Sequence, residues 1–133
     1  MRFVLALHTD DNVKYGVTVP DLPGCFSAGD TFDESVDAAI EAIEAHVETL
    51  IEDGGQLPEP KSLAIHKVNP DLVDAVWVVI DVPVEKYFGP AEKINITVPA
   101  VALRRIDAYA QRHGETRSGF LLLAAERAMR DPA

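Results

Sequence analysis

The chain has 133 residues, 47% of them hydrophobic, which is enough for one ordinary domain or for a small domain joined to a second module. It has no apolar run of about eighteen residues, which argues against a membrane span, and its single cysteine, Cys25, excludes an internal disulfide. These features lead us to expect a cytoplasmic protein.

The net charge of −10 is distributed unevenly along the chain. Residues 1–92 contain 5 Lys and Arg against 18 Asp and Glu, whereas residues 93–133 contain 7 against 4. The first segment therefore carries a balance of −13 and the second a balance of +3. This asymmetry predicts two surfaces for different partners, although chance clustering of solvated charge would give the same pattern.

Three strands are predicted before the first helix. Residues 2–8 are nearly all apolar and should form a central strand, residues 15–19 alternate with period two, and a short strand covers residues 25–28. Turn-forming residues at 9–12 and a Pro- and Gly-containing breaker at 20–24 separate these strands. The sequence therefore predicts an antiparallel meander.

A long amphipathic helix follows the meander. Thr31 and Glu34 form a capping-box pattern at its start, and Gly54 and Gly55 end it. Apolar residues recur at spacings of three and four, and the opposite face is a stripe of carboxylates. This stripe could dock a basic partner, but a merely solvated face is the simpler interpretation. The candidate docking residues are Asp37, Glu41, Glu44 and Glu48, and an exposed edge of the sheet is the rival docking surface.

The rest of the first segment is less regular. Residues 63–70 are ambiguous, and residues 75–82, which include Trp77, predict a buried strand rich in β-branched side chains. Pro83, Gly89 and Pro90 indicate a linker over residues 83–92. We therefore predict a first domain at 1–82 and a second at 93–133.

The second domain begins with an alternating strand at 93–98, which ends at Pro99. An amphipathic helix follows over about 100–113, and after Gly114 a second helix begins with Thr116 as its N-cap. This second helix is apolar nearly all round, so it must be buried on several sides. Forty residues cannot bury it alone, which predicts dimerisation.

One strand and two helices that need a second copy resemble the ribbon-helix-helix family, in which two strands pair into a ribbon that enters the DNA major groove. The resemblance implies a dimer core of Ile94, Ile96, Val98, Phe120 and Ala124, with Lys93, Asn95 and Thr97 reading base edges. It also implies that the start of the second helix, at Thr116, Arg117 and Ser118, holds a DNA phosphate. The symmetry of the dimer predicts a palindromic operator.

The N-terminal segment is similar to HicB-type antitoxins. The similarity lies in residues 15–31, most specifically in Pro20-Asp21-Leu22-Pro23-Gly24, and extends to residues 52–60. It implies an α+β fold in which a partial ribonuclease-H-like domain, inactive as a nuclease, precedes the ribbon-helix-helix domain. It also implies a basic HicA-type toxin that cleaves messenger RNA as the partner, repression of the shared operon, and no enzymatic activity or cofactor. We further expect the N-terminal domains to associate into a higher oligomer.

Two alternatives remain open at this stage. An active ribonuclease-H-like nuclease would use carboxylates such as Asp10, Asp11 and Asp81 with two metal ions, although a hairpin turn explains the first two more simply. A stand-alone regulator could instead use the acidic domain to sense a small ligand. The scattered histidines show no spacing typical of a zinc site, and no catalytic residue or metal ligand is predicted.

Overall fold

The computed structural model describes residues 1–130, which form two compact units: Met1–Gly89 and a second unit that begins at Pro90. The first unit holds four strands and two helices, and the second holds two helices. The protein is therefore a mixed α+β chain, as predicted. Residues 131–133, the end of the predicted second domain, lie outside the described residues.

A four-stranded antiparallel sheet organises the first unit. The strands are β1 (Arg2–His8), β2 (Tyr15–Thr18), β3 (Phe26–Gly29) and β4 (Val76–Asp81), in the order β3-β2-β1-β4. The prediction that the first strand is central is confirmed, because β1 pairs on both sides. The predicted third strand is shifted by one residue.

Helix α1 (Phe32–Glu52) covers one face of the sheet. Its N-cap prediction is confirmed, because the Oγ1 of Thr31 accepts a hydrogen bond of 3.1 Å from the backbone N–H of Glu34. Gly54, with φ of +75°, follows its C-terminus in the left-handed conformation that glycine adopts most easily. The apolar face of α1 packs on alternate residues of β1 and β2 to form the core: Phe3, Leu5, Leu7, Val17, Ala39, Ile43 and Val47.

The strand predicted at 75–82 forms as β4, but the prediction that it is buried is wrong. β4 forms an edge of the sheet, and Val76 and Val79 are 45% and 53% exposed. Its apolar composition indicated a strand with both faces covered, but only Val78 and Ile80 pack against the core, and Val79 between them lies on the opposite face. The ambiguous segment before it contains the short helix α2 (Leu63–Lys67) and a 3-10 helix (Pro70–Leu72).

The predicted linker begins too early. Val82 and Val84 are fully buried, and a 3-10 helix (Glu85–Tyr87) follows them. The Nζ of Lys86 lies 3.6 Å from a carboxylate oxygen of Glu44 on α1. Residues 83–89 are therefore part of the first unit, because Val84 continues the apolar core beyond Pro83, one of the residues that suggested a linker.

The second unit contains α3 (Ala100–Arg112) and α4 (Arg117–Arg130), joined by a turn at Gly114 with φ of +68°. The strand predicted at 93–98 is not formed in the single chain. A strand is defined by hydrogen bonds to a neighbour, and among the described residues none pairs with this segment.

No helix within residues 1–130 is long and apolar enough to cross a membrane.

Candidate interaction surfaces

The carboxylate stripe of α1 is the first candidate surface. Asp37, Glu41 and Glu48 are exposed, whereas Glu44 is half-buried and pairs with Lys86. The four predicted positions follow one another at spacings of three and four residues, so the helix places them along one side. The stripe is thus a continuous acidic surface in which one of the four charges is already partly neutralised within the unit.

The outer edge of β4 is a second candidate surface, although the sequence predicted β4 itself to be buried. The strand reads Val76-Trp77-Val78-Val79-Ile80-Asp81 and pairs only with β1 among the described residues. At its C-terminal end Asp81 and Glu85 bind the amino group of Met1 at 2.9 and 2.7 Å. These contacts raise the pKa of the amine, first through Glu85, and lower the pKa of both carboxyls.

The sequence did not predict the buried polar contact between Asp21 and His66. The carboxylate of Asp21 lies 2.9 Å from the Nε2 of His66 and accepts a 3.0 Å hydrogen bond from the backbone N–H of Lys61. Both side chains are buried, and they join the turn after β2 to α2. Their separation of 45 residues explains why no local pattern could predict the contact.

Two of the three carboxylates considered for a nuclease, Asp11 and Asp81, have structural partners. Asp11 accepts hydrogen bonds from the backbone N–H groups of Lys14 and Val13, at 2.9 and 2.8 Å, which lower its pKa. It therefore shapes the β1–β2 turn, while Asp81 is bound to the terminal amine. Within residues 1–130, His, Cys, Asp and Glu side chains form no group of three or more that could hold a metal. Cys25 is buried, and burial raises the pKa of its thiol.

The segment before α3 displays two different rows of side chains. Lys93, Asn95 and Thr97 are exposed and polar. Ile94 and Ile96, which alternate with them, are 77% and 58% exposed, and Val98 is half-buried. Within a single chain this apolar row therefore has little cover, which is costly unless another surface packs on it.

The start of α4 leaves backbone amides available. Thr116 accepts a 3.0 Å hydrogen bond from the N–H of Gly119 through its Oγ1, and one of 2.9 Å from Phe120 through its carbonyl. The first two helical amides, those of Arg117 and Ser118, have no acceptor within the helix, as at any helix N-terminus. These amides lie where the sequence predicts a phosphate-binding site.

The side chain of Arg117 is already engaged. Its guanidinium donates two hydrogen bonds of 2.8 Å to the carboxylate of Asp107 on α3. This bidentate pair lowers the pKa of Asp107 and raises that of Arg117. Any phosphate contact of Arg117 would thus involve its backbone amide, with the side chain bracing α4 against α3.

The predicted dimer-core residues of α4 are partly exposed to solvent in the single chain. Phe120 is half-buried and packs against Tyr109 of α3, with ring centroids 5.0 Å apart, whereas Ala124 is exposed. Leu122 and Met129 on the same helix are 63% and 65% exposed. The second unit therefore buries little of its own apolar surface, and of its described residues only Ala110 is fully covered.

The fold thus defines a two-unit α+β protein whose notable features are charged and apolar surfaces. The model of the HicB-like antitoxins of bacterial toxin–antitoxin systems matches residues 3–125. The chain therefore belongs to the HicB-like antitoxin family, and the resemblance read from its sequence is confirmed at the level of the family.

Solved structures agree with this assignment. The antitoxin HicB of Burkholderia pseudomallei is 42% identical and has a TM-score of 0.66, with 96% of this chain and 98% of that chain covered. Antitoxin HicB3 has a TM-score of 0.79 at 28% identity, with coverage of 96% and 97%. A chain from the HicA3 and HicB3 toxin-antitoxin complex is 27% identical with a TM-score of 0.53, covering 62% of this chain and 98% of its own length.

Proposed function

We propose that this antitoxin binds and inactivates a small basic toxin of the HicA type through its first unit and represses its own operon through its second. The observation that carries the proposal is the family match over residues 3–125. The similarity to a chain from a HicA3–HicB3 complex, which spans 62% of this chain, supports a toxin as the partner. Antitoxins of this kind act by binding, so no catalytic role is proposed.

The charge of the first unit supports a basic partner. Residues 1–92 carry a balance of −13, and the exposed stripe of α1 adds a concentrated acidic surface. A toxin that cleaves RNA has to attract phosphates, so its own surface is expected to be positive. Complementary charge accelerates the encounter of two such partners and disfavours wrong ones.

The test is a growth assay with the small basic protein encoded beside this gene. Its expression should arrest growth, and co-expression of the full chain should restore it. The fragment 1–89, which corresponds to the first unit, should also restore growth if that unit carries the neutralising surface. If the neighbouring protein is toxic and the full chain fails to rescue growth, the antitoxin role is contradicted. Absence of toxicity would favour the regulator that senses a ligand.

We also propose that the second unit is a ribbon-helix-helix dimer that binds operator DNA. Pairing of residues 93–98 from two copies would bury Ile94 and Ile96 and give the unpaired backbone its hydrogen bonds. The same ribbon would direct Lys93, Asn95 and Thr97 into the major groove, with the amides at Arg117 and Ser118 on a phosphate. Further association through the first units, and their partial ribonuclease-H-like character, remain predictions.

Replacement of Asn95 by Ala should weaken specific operator binding by roughly 1–3 kcal/mol, because asparagine can pair bidentately with adenine. Binding of DNA fragments from the operon's own promoter, measured by fluorescence anisotropy, would report the loss. Gln111→Ala is the matched control, because it removes an exposed amide side chain at the far end of α3. Equal operator affinity of Asn95→Ala and wild type would contradict the assignment of the ribbon.

A further inference from the structure

The hydrogen-bond register of β4 identifies which of its backbone groups face outward. The backbone groups of Met1 and Val82 bond to each other in both directions, at 2.8 and 3.0 Å. In an antiparallel pair such hydrogen-bonded positions alternate, so Val76, Val78 and Ile80 also bond to β1. The N–H and C=O groups of Trp77, Val79 and Asp81 therefore point to the open edge.

This edge has few of the features that normally protect a sheet edge. Proteins block such edges with lysine, proline, bulges or very short strands. β4 has six residues, pairs with β1 in continuous register, and carries no charge or proline before Asp81. Val76 and Val79 are 45% and 53% exposed. The edge is thus an apolar template for one more strand.

The charges around β4 indicate the occupant. Exposed Asp71 and Asp74 precede the strand, and Asp81 and Glu85 follow its apolar part, offset in part by the Met1 amine and by Arg2 opposite Asp81. Antiparallel pairing of two copies about the strand centre would bring Asp81 of one copy within about two residues of Asp74 of the other. Like charges so placed are unfavourable, and residues 1–92 of each copy carry a balance of −13.

We propose that the open edge of β4 is where the toxin docks, by adding a strand of its own whose ends carry lysine or arginine. This inference rests on the proposed function, and it names the site within the first unit. Main-chain hydrogen bonds to Trp77, Val79 and Asp81 would hold the added strand, and the flanking carboxylates would select a basic one. The carboxylate stripe of α1 would then attract the toxin electrostatically and contribute less to the bound complex.

Amide hydrogen exchange on the full-length wild-type protein tests the site without any substitution. The neighbouring basic protein is the probe, and exchange is resolved residue by residue by NMR. In the free antitoxin the amides of Trp77, Val79 and Asp81 should exchange faster than those of Val76, Val78 and Ile80, which bond to β1. Binding should slow the first three selectively. Protection confined to residues 37–48 would overturn the edge in favour of the α1 stripe.

Replacement of Val79 by Pro removes one outward N–H and leaves every bond to β1 intact. It should raise the Kd for the toxin at least about tenfold, which corresponds to 1.4 kcal/mol. Val79→Thr is the matched control, since it keeps the N–H and the β-branched shape, and it should bind nearly as wild type. Circular dichroism and unchanged operator binding would verify that both variants fold.

The possible failures are distinguishable. If wild type itself neither binds nor neutralises the probe, the proposed function fails. If wild type binds and Val79→Pro binds within twofold of it, with no protection at β4, the docking edge is wrong while the antitoxin role stands. Protection of the outward amides that rises with antitoxin concentration in the absence of toxin would also overturn the proposal, because a second copy would then occupy the edge.

Discussion

Substitution of Gly29 by Ala should unfold the first unit at temperatures where the wild-type protein is stable. Gly29 ends β3 directly beneath the start of α1. A Cβ at this position would lie 2.6 Å from the Cα of Ser35 and 2.7 Å from the carbonyl carbon of Glu34, and closer still to the N of Ser35. These are backbone atoms of a helix, so they cannot move aside as a flexible side chain can.

The expected cost is about 3 kcal/mol, the upper part of the range for overpacked sites. For a unit of this size, such a loss lowers Tm by roughly 12–24 °C. Thermal unfolding followed by circular dichroism, with a probe for each unit, would measure it. Toxin binding should fall with the folded fraction of the first unit, whereas operator binding should persist, because residues from Pro90 onward form a separate compact unit.

Gly16→Ala is the control for Gly29→Ala. Gly16 lies in the neighbouring strand β2, paired with Ala28 of β3, and a Cβ there would meet no atom within 4 Å. Its stability should change by less than about 1 kcal/mol, since a glycine inside a strand already carries an entropic cost. Equal Tm values for the two variants would contradict the close approach of α1 and β3.

The elements that could be predicted from the sequence are those specified by local patterns. The apolar run of β1, the capping residue Thr31 and the spacing of apolar residues in α1 each act within a few residues, and each prediction is confirmed. The burial of β4 could not be predicted, because the same apolar sequence suits a strand covered on both faces and a strand covered on one face only. Its place at the edge depends on the order of the whole sheet.

The strand predicted at 93–98 is not formed in the structure, for a different reason. Its alternation of polar and apolar residues is typical of a strand, but no segment within residues 1–130 pairs with it. A pattern in one sequence can therefore specify a structure that a single copy does not form. Ile94 and Ile96 are 77% and 58% exposed, and a paired second copy would cover them, which is why we propose dimerisation for this unit.

The contact between Asp21 and His66 leads to the second prediction of large effect. Asp21→Ala should destabilise the first unit by about 2–5 kcal/mol, because it leaves the N–H of Lys61 and the Nε2 of His66 without their acceptor in a site where water has little access. Thermal unfolding would give the change in stability, and limited proteolysis would show whether residues 57–75 loosen first. Asp30→Ala, on an exposed aspartate after β3, is the matched control and should be nearly neutral.

Asp21→Asn separates hydrogen bonding from charge. The amide oxygen of asparagine can still accept from Lys61 and from a protonated Nε2 of His66, so this variant should retain most of the stability that Asp21→Ala loses. If asparagine proves as damaging as alanine, the negative charge itself is required. If alanine is as stable as wild type, the contact does not hold the two segments together. A double-mutant cycle with His66→Ala would isolate the energy of the pair.

Asp21 also gives a physical meaning to the stretch that carries the family resemblance. Pro20-Asp21-Leu22-Pro23-Gly24 looks like a simple turn, yet Leu22 is buried in the core and Asp21 reaches α2, 45 residues along the chain. α2 and the following 3-10 helix lead directly into β4, so this turn helps to fix where the edge strand begins. Loss of the Asp21 contact should therefore weaken toxin binding more than the fall in the folded fraction explains. Gly29→Ala disrupts the opposite edge of the sheet, so it should weaken toxin binding only in proportion to the folded fraction.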